Sequence, residues 1–376
     1  MRIVQLANFY SPTSGGLRTA LRALAAEYRA LGHEVIRVVP GAEDRTHDDG
    51  TAEVVEVASP SLGGTGYRIV RPTAALRRRL TALHADVVEL SDKATFVGVA
   101  DGLRSSGARV VLISHERLDH VLAGRVPRGV PLRRVTDTWN RRLVARVDAI
   151  VAASDYAAEE YARIGATGVH RVPLGVDLAT FAPPATRTDS TTLRLAMVGR
   201  LSAEKSPEVA IETVRHLDRV RDVHLSIAGD GPMAAELRRL STGLPVSFLG
   251  HLGSRHEVAD LLGASDVVLA PCGCETFGLG VLEAMACGTP VVAASTGALR
   301  ELVVPGTGLV ATADGPSFAA AASTVADCDR AVSAVFARAQ AERHPWSSTA
   351  RTMLAVLSGA DDGATAEVHA ARAGDR

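Results

Sequence analysis

Two glutamates eight residues apart, Glu275 and Glu283, stand in the string Glu275-Thr276-Phe277-Gly278-Leu279-Gly280-Val281-Leu282-Glu283, which continues as Ala284-Met285-Ala286-Cys287-Gly288-Thr289-Pro290. The pattern predicts Glu275 in a loop after a strand and Glu283 about a turn and a half into a helix. A loop carboxylate can accept hydrogen bonds from sugar hydroxyls, and a helix carboxylate from a ribose diol. Gly278 and Gly280 would let the backbone approach a ligand at the helix N-terminus, where free amides favour an anion. Two acids alone favour a plain helix start, with a favourable acid at Glu275 and a solvated Glu283. The whole string, with its Gly-Thr-Pro ending, points to a ligand.

A second string, Gly199-Arg200-Leu201-Ser202-Ala203-Glu204-Lys205, begins where a predicted strand ends. Arg200 offers a planar fork and Lys205 a compact charge, which together suit a diphosphate. Each such contact is worth about 1.5–3 kcal/mol, and cations placed there would also stabilise the charge that develops on a departing phosphate. The alternative is a pair of solvated surface bases. Of the 41 basic residues only Lys93 and Lys205 are lysines, which marks both positions for attention.

Weaker signals accompany these two. Ser14-Gly15-Gly16-Leu17 follows strand one and opens a helix, a place that suits phosphate or a plain tight turn. It is not Gly-x-Gly-x-x-Gly and gives no support to a dinucleotide dehydrogenase. His115, in Ser114-His115-Glu116-Arg117, sits at a carboxyl strand end and could bond sugar or phosphate, although a lone His is more often structural. Gly229-Asp230-Gly231-Pro232 reads first as a tight turn and second as a donor contact. Asp327-Cys328-Asp329 is the sole Asp-x-Asp, far from the glycine motifs, and reads as surface rather than metal ligand. Charge on a leaving group would then be met by Arg200, Lys205 and helix amides, with no obligatory metal and no motif that requires Mg2+.

These residues need elements to hold them. Short apolar runs alternate with helical patterns along all 376 residues, the signature of parallel sheets in α/β units. Strands are predicted at 2–6, 34–39, 54–58, 86–90, 109–113 and 149–153, with a helix over 17–31 that stops at Gly32. A turn-like stretch at 174–177, Pro183-Pro184 and a polar run through Thr192 place the linker. The pattern then restarts, with strands at 193–198, 223–228, 246–249, 267–270 and 291–294, helices at 207–217, 233–242 and 279–286, and a final amphipathic helix from Trp346 to Leu357. Residues 1–180 and residues 190–345 are thus expected as two doubly wound Rossmann-like domains facing across a cleft, with 359–376 a disordered tail. Ligands of such sheets bind beyond the carboxyl ends of the strands.

Composition narrows the context. Aromatics are 4 % of the chain, so the cores must be built from Ala, Val and Leu. The four cysteines all fall in the C-terminal half and read as reduced thiols, since Cys272 and Cys274 are too close for an easy structural disulfide. No run approaches ~18 apolar residues, and the first residues enter a strand at once, so neither a membrane span nor a signal peptide is expected. Residues 1–172 carry 24 bases against 19 acids, and 173–376 carry 17 against 23. Arg68, Arg71, Arg77, Arg78 and Arg79, interleaved with Ile69, Val70, Leu76 and Leu80, suggest a helix that lies on an anionic membrane surface, helped by Arg133, Arg134, Arg141 and Arg142. The alternative is a solvated helix face. Nucleic acid would match the charge, but aromatic interleaving is lacking.

Taken together, the strings resemble the retaining glycosyltransferases of the GT-B fold, family 4, from Arg2 to about Leu357. The resemblance implies that Arg200 and Lys205 grip a donor diphosphate, Glu275 the transferred sugar and Glu283 the ribose, and that the helix 346–358 crosses back to join residues 1–180. Gly16 would approach the β-phosphate, and Phe277, Gly278 and Leu279 would complete the donor loop. His115, with Glu275, Arg200 and Lys205, is a candidate catalytic residue. The stretches 4–10, 113–119 and 172–177 are similar to the actinobacterial phosphatidylinositol mannosyltransferases, above all those adding the third mannose. That similarity implies GDP-mannose as donor, a phosphatidylinositol dimannoside as glycolipid acceptor and an α-1,6 linkage. It also implies contact of Tyr10 and the arginines of 68–79 with acceptor or membrane, and a peripheral place on the inner face of the plasma membrane. A family 4 enzyme with a small soluble acceptor, and a non-catalytic sugar-nucleotide-binding protein, fit the same residues.

Overall fold

The computed structural model describes residues 1–10, 15–63, 67–123, 126–127, 130–186 and 190–360; Ser14 and the tail beyond Ala360 lie outside them. The chain divides into two compact units, one of Met1–Leu174 with the helix Trp346–Ser358, the other of Gly175–Pro345. Each is built on its own sheet.

In the first unit the strands lie in the order Val169–Arg171, Ala149–Ala152, Arg109–Ser114, Val87–Leu90, Arg2–Leu6, Glu34–Gly41, Glu53–Ala58, Arg45–Asp48. All pairs are parallel except the last, where Arg45–Asp48 runs antiparallel to Glu53–Ala58. The central strands are buried from end to end, as Val87–Leu90 and Ala149–Ala152 show. Helices cover both faces of such sheets, so strand residues read as continuous apolar runs rather than alternating ones. The polar edge strand Arg45–Asp48 carries no such run, which is why the sequence pattern passed it over.

The second unit has the order Val246–Gly250, Val223–Ala228, Leu193–Val198, Val267–Ala270, Val291–Ala294, Gly308–Ala311, parallel throughout. Its core joins Leu195, Met197, Leu225, Ile227, Val267, Leu269 and Val292 of the strands to Val214, Leu217 and Phe318 of the helices. Pro183 and Pro184 pack within this unit, against Gly288 and Gly263, and the division between units falls earlier, at Leu174. Phe181, buried just before the proline pair, holds that segment in place.

Both sheets contain a point where successive connections diverge. In the first unit it lies between Arg2–Leu6 and Val87–Leu90, and in the second between Leu193–Val198 and Val267–Ala270. The loops that leave the carboxyl ends of those two neighbouring strands head to opposite faces of the sheet and leave a crevice, the usual ligand position in open α/β sheets.

The basic run at 68–79 does not form one amphipathic helix. Arg68 belongs to the short strand Tyr67–Arg68, and only Ala74–Thr81 is helical, capped by Thr73 accepting from the Leu76 amide at 3.1 Å. Val70, Leu76 and Leu80 are buried in the core of the first unit, so the apolar side of that segment is already covered. Arg68 donates to the Ser59 carbonyl at 2.6 Å and Arg79 pairs with Asp44 at 2.8 Å, while Arg71, Arg77 and Arg78 are exposed. The helix Leu132–Val144 is different, since Val135 and Trp139 are exposed beside Arg134, Arg141 and Arg142.

The first unit also buries charge. Arg37, fully buried, bonds Gln5 at 3.0 Å and Asp49 at 2.9 Å, and Gln5 passes the network to Glu89 at 2.9 Å. Lys93 is paired with the buried Glu160, which also accepts from Asn140 at 2.9 Å and from the Leu118 amide at 3.2 Å. Removing one partner of a buried pair strands the other. Lys93→Met is expected to cost about 3–5 kcal/mol in urea unfolding, and Lys93→Met with Glu160→Leu to recover most of it.

Candidate active site

The two strings singled out by their chemistry are the two loops at the switch point of the second unit. Gly199 to Ser206 leaves strand Leu193–Val198, and Pro271 to Gly278 leaves its neighbour Val267–Ala270. Strand adjacency therefore brings together residues 70 positions apart, Lys205 and Glu275, whose side chains form an ion pair.

The first loop is laced to the turn Gly229-Asp230-Gly231. The Leu201 amide donates to the Asp230 carbonyl at 3.0 Å, and the Met233 amide donates to the Leu201 carbonyl at 3.0 Å. At Gly229, φ is +135° and a Cβ would lie 1.8 Å from the Gly199 carbonyl oxygen, so only glycine permits this approach. The Gly-Asp-Gly turn thus supports the loop that presents Arg200 and Lys205. After a short 3-10 turn at Ala203–Lys205, Ser206 takes φ +48° and Pro207 starts the helix Pro207–Leu217. A non-glycine residue held left-handed costs about 1–3 kcal/mol, here exactly where the loop must turn from Lys205 into the helix, and Pro at the first helical position suits that start.

The second loop ends at Gly278, which precedes the helix Leu279–Ala286 with φ +100°. A Cβ there would lie 2.2 Å from the Leu299 side chain, whereas Gly280 faces open space. The two glycines therefore differ: Gly278 is required by packing within the protein, and Gly280 is an exposed position with open space beside it. The Glu275 carbonyl is pinned by the Ala298 amide at 2.8 Å. Phe277 is buried, with its ring edge-to-face on His344 at 6.2 Å, so it anchors the loop while Leu279 is half-buried at the helix start.

Burial works against the Lys205 ammonium, but the Glu275 carboxylate outweighs it and holds the lysine above its ordinary pKa. Lys205 is therefore a fixed cation at neutral pH. Glu283, one helix turn further in, is the opposite case. Its side chain is 17 % exposed, and burial pushes its pKa up to about 7 although Arg255 lies 3.4 Å away and opposes the shift. It is not a solvated surface acid. Arg200 is exposed on the first loop. Cys272 and Cys274 lie beneath the pair, and both thiols reach the Glu204 carbonyl, at 3.0 and 3.5 Å.

The remaining candidates lie in the first unit. Gly16 is the first residue of the helix Gly16–Ala30, after strand Arg2–Leu6. Val87–Leu90 borders that strand, and the loop after it carries Lys93. His115 follows the next strand, Arg109–Ser114, half-buried. Burial first, and the Lys93 charge second, push its pKa down to about 4, which keeps the imidazole neutral and fit to exchange hydrogen bonds. Tyr10 packs on Ala7, Leu21, Val39 and Val54, with the Arg37 guanidinium 5.9 Å from its ring centroid, so part of its role is structural. Asp327 ends one helix and pairs with Arg221 at 3.3 Å, while Asp329 caps the next by accepting from the Val332 amide at 3.1 Å.

Sequence reasoning missed the buried Lys93–Glu160 pair, Arg255 on Glu283, and the thiol pair. Lysine scarcity was the one signal for Lys93. Arg255 begins a helix whose Ser254–Glu257 capping box is plain in sequence, but its reach to Glu283 depends on how that helix packs.

Residues 14–180 match the family model described as Glycosyltransferase Family 4, and residues 192–327 the model described as Glycosyl transferases group 1. The GDP-mannose-dependent alpha-(1-6)-phosphatidylinositol dimannoside mannosyltransferase of Mycobacterium tuberculosis (strain ATCC 25177 / H37Ra) is 42 % identical over 371 residues, 95 % of this chain and 96 % of that protein. A GDP-mannose-dependent alpha-mannosyltransferase of Mycolicibacterium smegmatis is 31 % identical over 84 % of this chain and 85 % of its own. Among solved structures, sucrose-phosphate synthase from Thermosynechococcus elongatus superposes with a TM-score of 0.76 at 21 % identity, over 95 % of this chain and 98 % of that one. The fold is therefore GT-B.

The lowered pKa of His115 has a consequence for stability. An unfolded histidine binds its proton near 6.5 and the folded one only near 4, so the unfolded state holds more protons between these values. Stability contributed by the neutral ring is complete above about 6.5 and is lost as pH falls toward about 4. Replacing it by His115→Gln should flatten the fall in urea midpoint between pH 6.5 and 4 relative to the parent protein.

Proposed function

We propose that this chain, which belongs to the family 4 glycosyltransferases, moves mannose from GDP-mannose to a phosphatidylinositol dimannoside, giving an α-1,6-linked trimannoside with retention at the anomeric carbon. The observation that carries the reading is a 42 % identity running through both units to a relative that bears that name, with 95 % of this chain covered.

The chemistry follows from the residues. Lys205 and Arg200 take the diphosphate, where charge grows as the bond between mannose and phosphate breaks. Glu275 lies beside Lys205 and is placed to hold mannose hydroxyls, while Glu283 accepts from the ribose diol. The free amides that begin Leu279–Ala286 add favourable potential for phosphate. The acceptor hydroxyl attacks on the face from which GDP departs, and its proton passes to the leaving phosphate oxygen. Glu275, already engaged by Lys205, orients the sugar and forms no covalent bond to it. Gly16 and the neutral His115 have the roles that the family resemblance gives them, toward phosphate and sugar. The reaction as written requires no metal ion.

Among the described residues no helix is long and apolar enough to cross a membrane. We assign lipid contact to the helix Leu132–Val144, whose exposed Trp139 and Val135 lie among arginines, in place of the 68–79 run. Coverage of Val70, Leu76 and Leu80 by the core is the one observation that favours a small soluble acceptor instead. Co-sedimentation with vesicles of phosphatidylinositol and phosphatidylcholine separates the two readings, since a lipid enzyme should bind and Arg134→Glu with Arg141→Glu should release it.

Incubation with labelled GDP-mannose and phosphatidylinositol dimannoside should place label in the lipid, with UDP-glucose inert and Glu275→Ala slower by about a hundredfold or more. Turnover of a UDP-sugar but not GDP-mannose would discard the donor assignment. Glu283 supplies a pH signature. If its carboxylate form binds the ribose, affinity for GDP should rise with pH through about 7, beyond the ligand's own titration, and Glu283→Gln should abolish that excess.

A further inference from the structure

Two thiols sit directly under the Lys205–Glu275 pair without any part in the transfer. Cys272 is 5 % exposed and Cys274 is half-buried, and their sulfur atoms are 3.6 Å apart. Cys274 is the residue before Glu275, and the Cys272 thiol donates to the carbonyl of Glu204, the residue before Lys205, at 3.0 Å, with the Cys274 sulfur 3.5 Å from the same oxygen. The dithiol therefore ties the two donor loops together at the point where each presents its charged side chain. Gly273 between the cysteines lies close on Thr296, where a Cβ would fall 2.5 Å from the hydroxyl oxygen.

We propose that Cys272 and Cys274 are a reversible oxidation site, closed to a disulfide by low-molecular-weight disulfides, and that closure weakens the donor site. The inference rests on the reading that Lys205 and Glu275 belong to that site.

The more accessible Cys274 attacks first. Its thiol is brought down to about 7 by the hydrogen bond with Cys272 and, against burial, by the Lys205 ammonium, while the Cys272 thiol is pushed up. Of the two, Cys274 is therefore the readier to form the thiolate, the form that reacts. With oxidised glutathione, the Cys274 thiolate attacks one sulfur, breaks the glutathione S–S bond and releases one glutathione thiolate. Cys272 then attacks the Cys274 sulfur, gives its proton to the second departing glutathione, and closes the ring. Two protein thiols are oxidised to one disulfide and one glutathione disulfide is reduced to two thiols.

Closure must bring the sulfurs from 3.6 Å to about 2.05 Å. The Cys272 proton that bonds the Glu204 carbonyl is then lost, one residue from Lys205. The movement begins one residue from Glu275, in a loop held to Ala298. A ring closed across a single residue is strained, and strained disulfides are the readily reduced ones.

The full-length chain is treated with oxidised glutathione, remaining thiols are alkylated, and the products are mapped by peptide mass. Affinities for GDP, UDP and ADP are measured by calorimetry before oxidation, after it, and after dithiothreitol. A Cys272–Cys274 disulfide should form, with about a tenfold loss of affinity for whichever nucleotide binds, comparable to one weakened charged contact. Dithiothreitol should restore it, and Cys274→Ser, which lacks the attacking thiol, should keep its affinity through the oxidation. Failure of the disulfide to form, arrest as a glutathione adduct on Cys274, or a disulfide with unchanged affinity would each overturn the proposal. A switch seen with UDP alone would leave it standing and remove the GDP-mannose assignment, and binding of no nucleotide overturns both.

Discussion

The proposed donor site of this protein depends on two strands being neighbours. Leu193–Val198 and Val267–Ala270 are parallel partners, and their connections leave in opposite directions around the sheet. Because every strand of a parallel sheet ends on the same side, both loops open on one rim, and a cation from one loop meets a carboxylate from the other. The Lys205–Glu275 pair is the product of that constraint. So is the close packing around it, with glycine at 229 and 278 wherever another backbone or side chain must come within contact distance.

The same constraint explains why charge is concentrated rather than spread. A half-buried carboxylate or cation alone would be costly, and pairing lets both persist in such a place. The first unit uses the device more deeply, with Lys93 on Glu160 and Arg37 on Asp49 within the folded core. Both lysines of the chain are thus in ion pairs with glutamates, each on a loop that follows a strand. The Lys93 charge also helps to keep His115 neutral, which links the buried pair to a residue assigned to substrate.

Much of the scaffold was legible from the chain alone. Strands at 193–198, 223–228, 267–270 and 291–294 and helices at 207–217 and 279–286 have the limits that apolar patterns, Pro207 and Gly288 mark; Val267–Ala270 and Val291–Ala294 are unbroken apolar segments, as central parallel strands tend to be, while Arg194, His224 and Ser226 interrupt the other two at half-buried positions. The polar strand Arg45–Asp48 leaves no such trace. The arginine run at 68–79 misled for the complementary reason. An amphipathic pattern records that one side of a segment avoids water, and says nothing about whether lipid or the protein's own core provides the shelter. Here Val70, Leu76 and Leu80 pack in the core.

The sequence by itself determined the residue types of the site, since the spacing from Glu275 to Glu283 and from Gly199 to Lys205 is local and each string lies within one loop and its helix. It also determined that these loops follow strands. Tertiary structure alone decided which loops are adjacent, and therefore that Lys205 holds Glu275, that Arg255 reaches Glu283, and that two thiols bridge to Glu204. It decided, too, the state of the titratable groups, with Glu283 raised to about 7 and His115 lowered to about 4. The reason is that burial and Coulomb attraction act through space over a few ångströms, and strand order, not distance along the chain, sets what lies within that range.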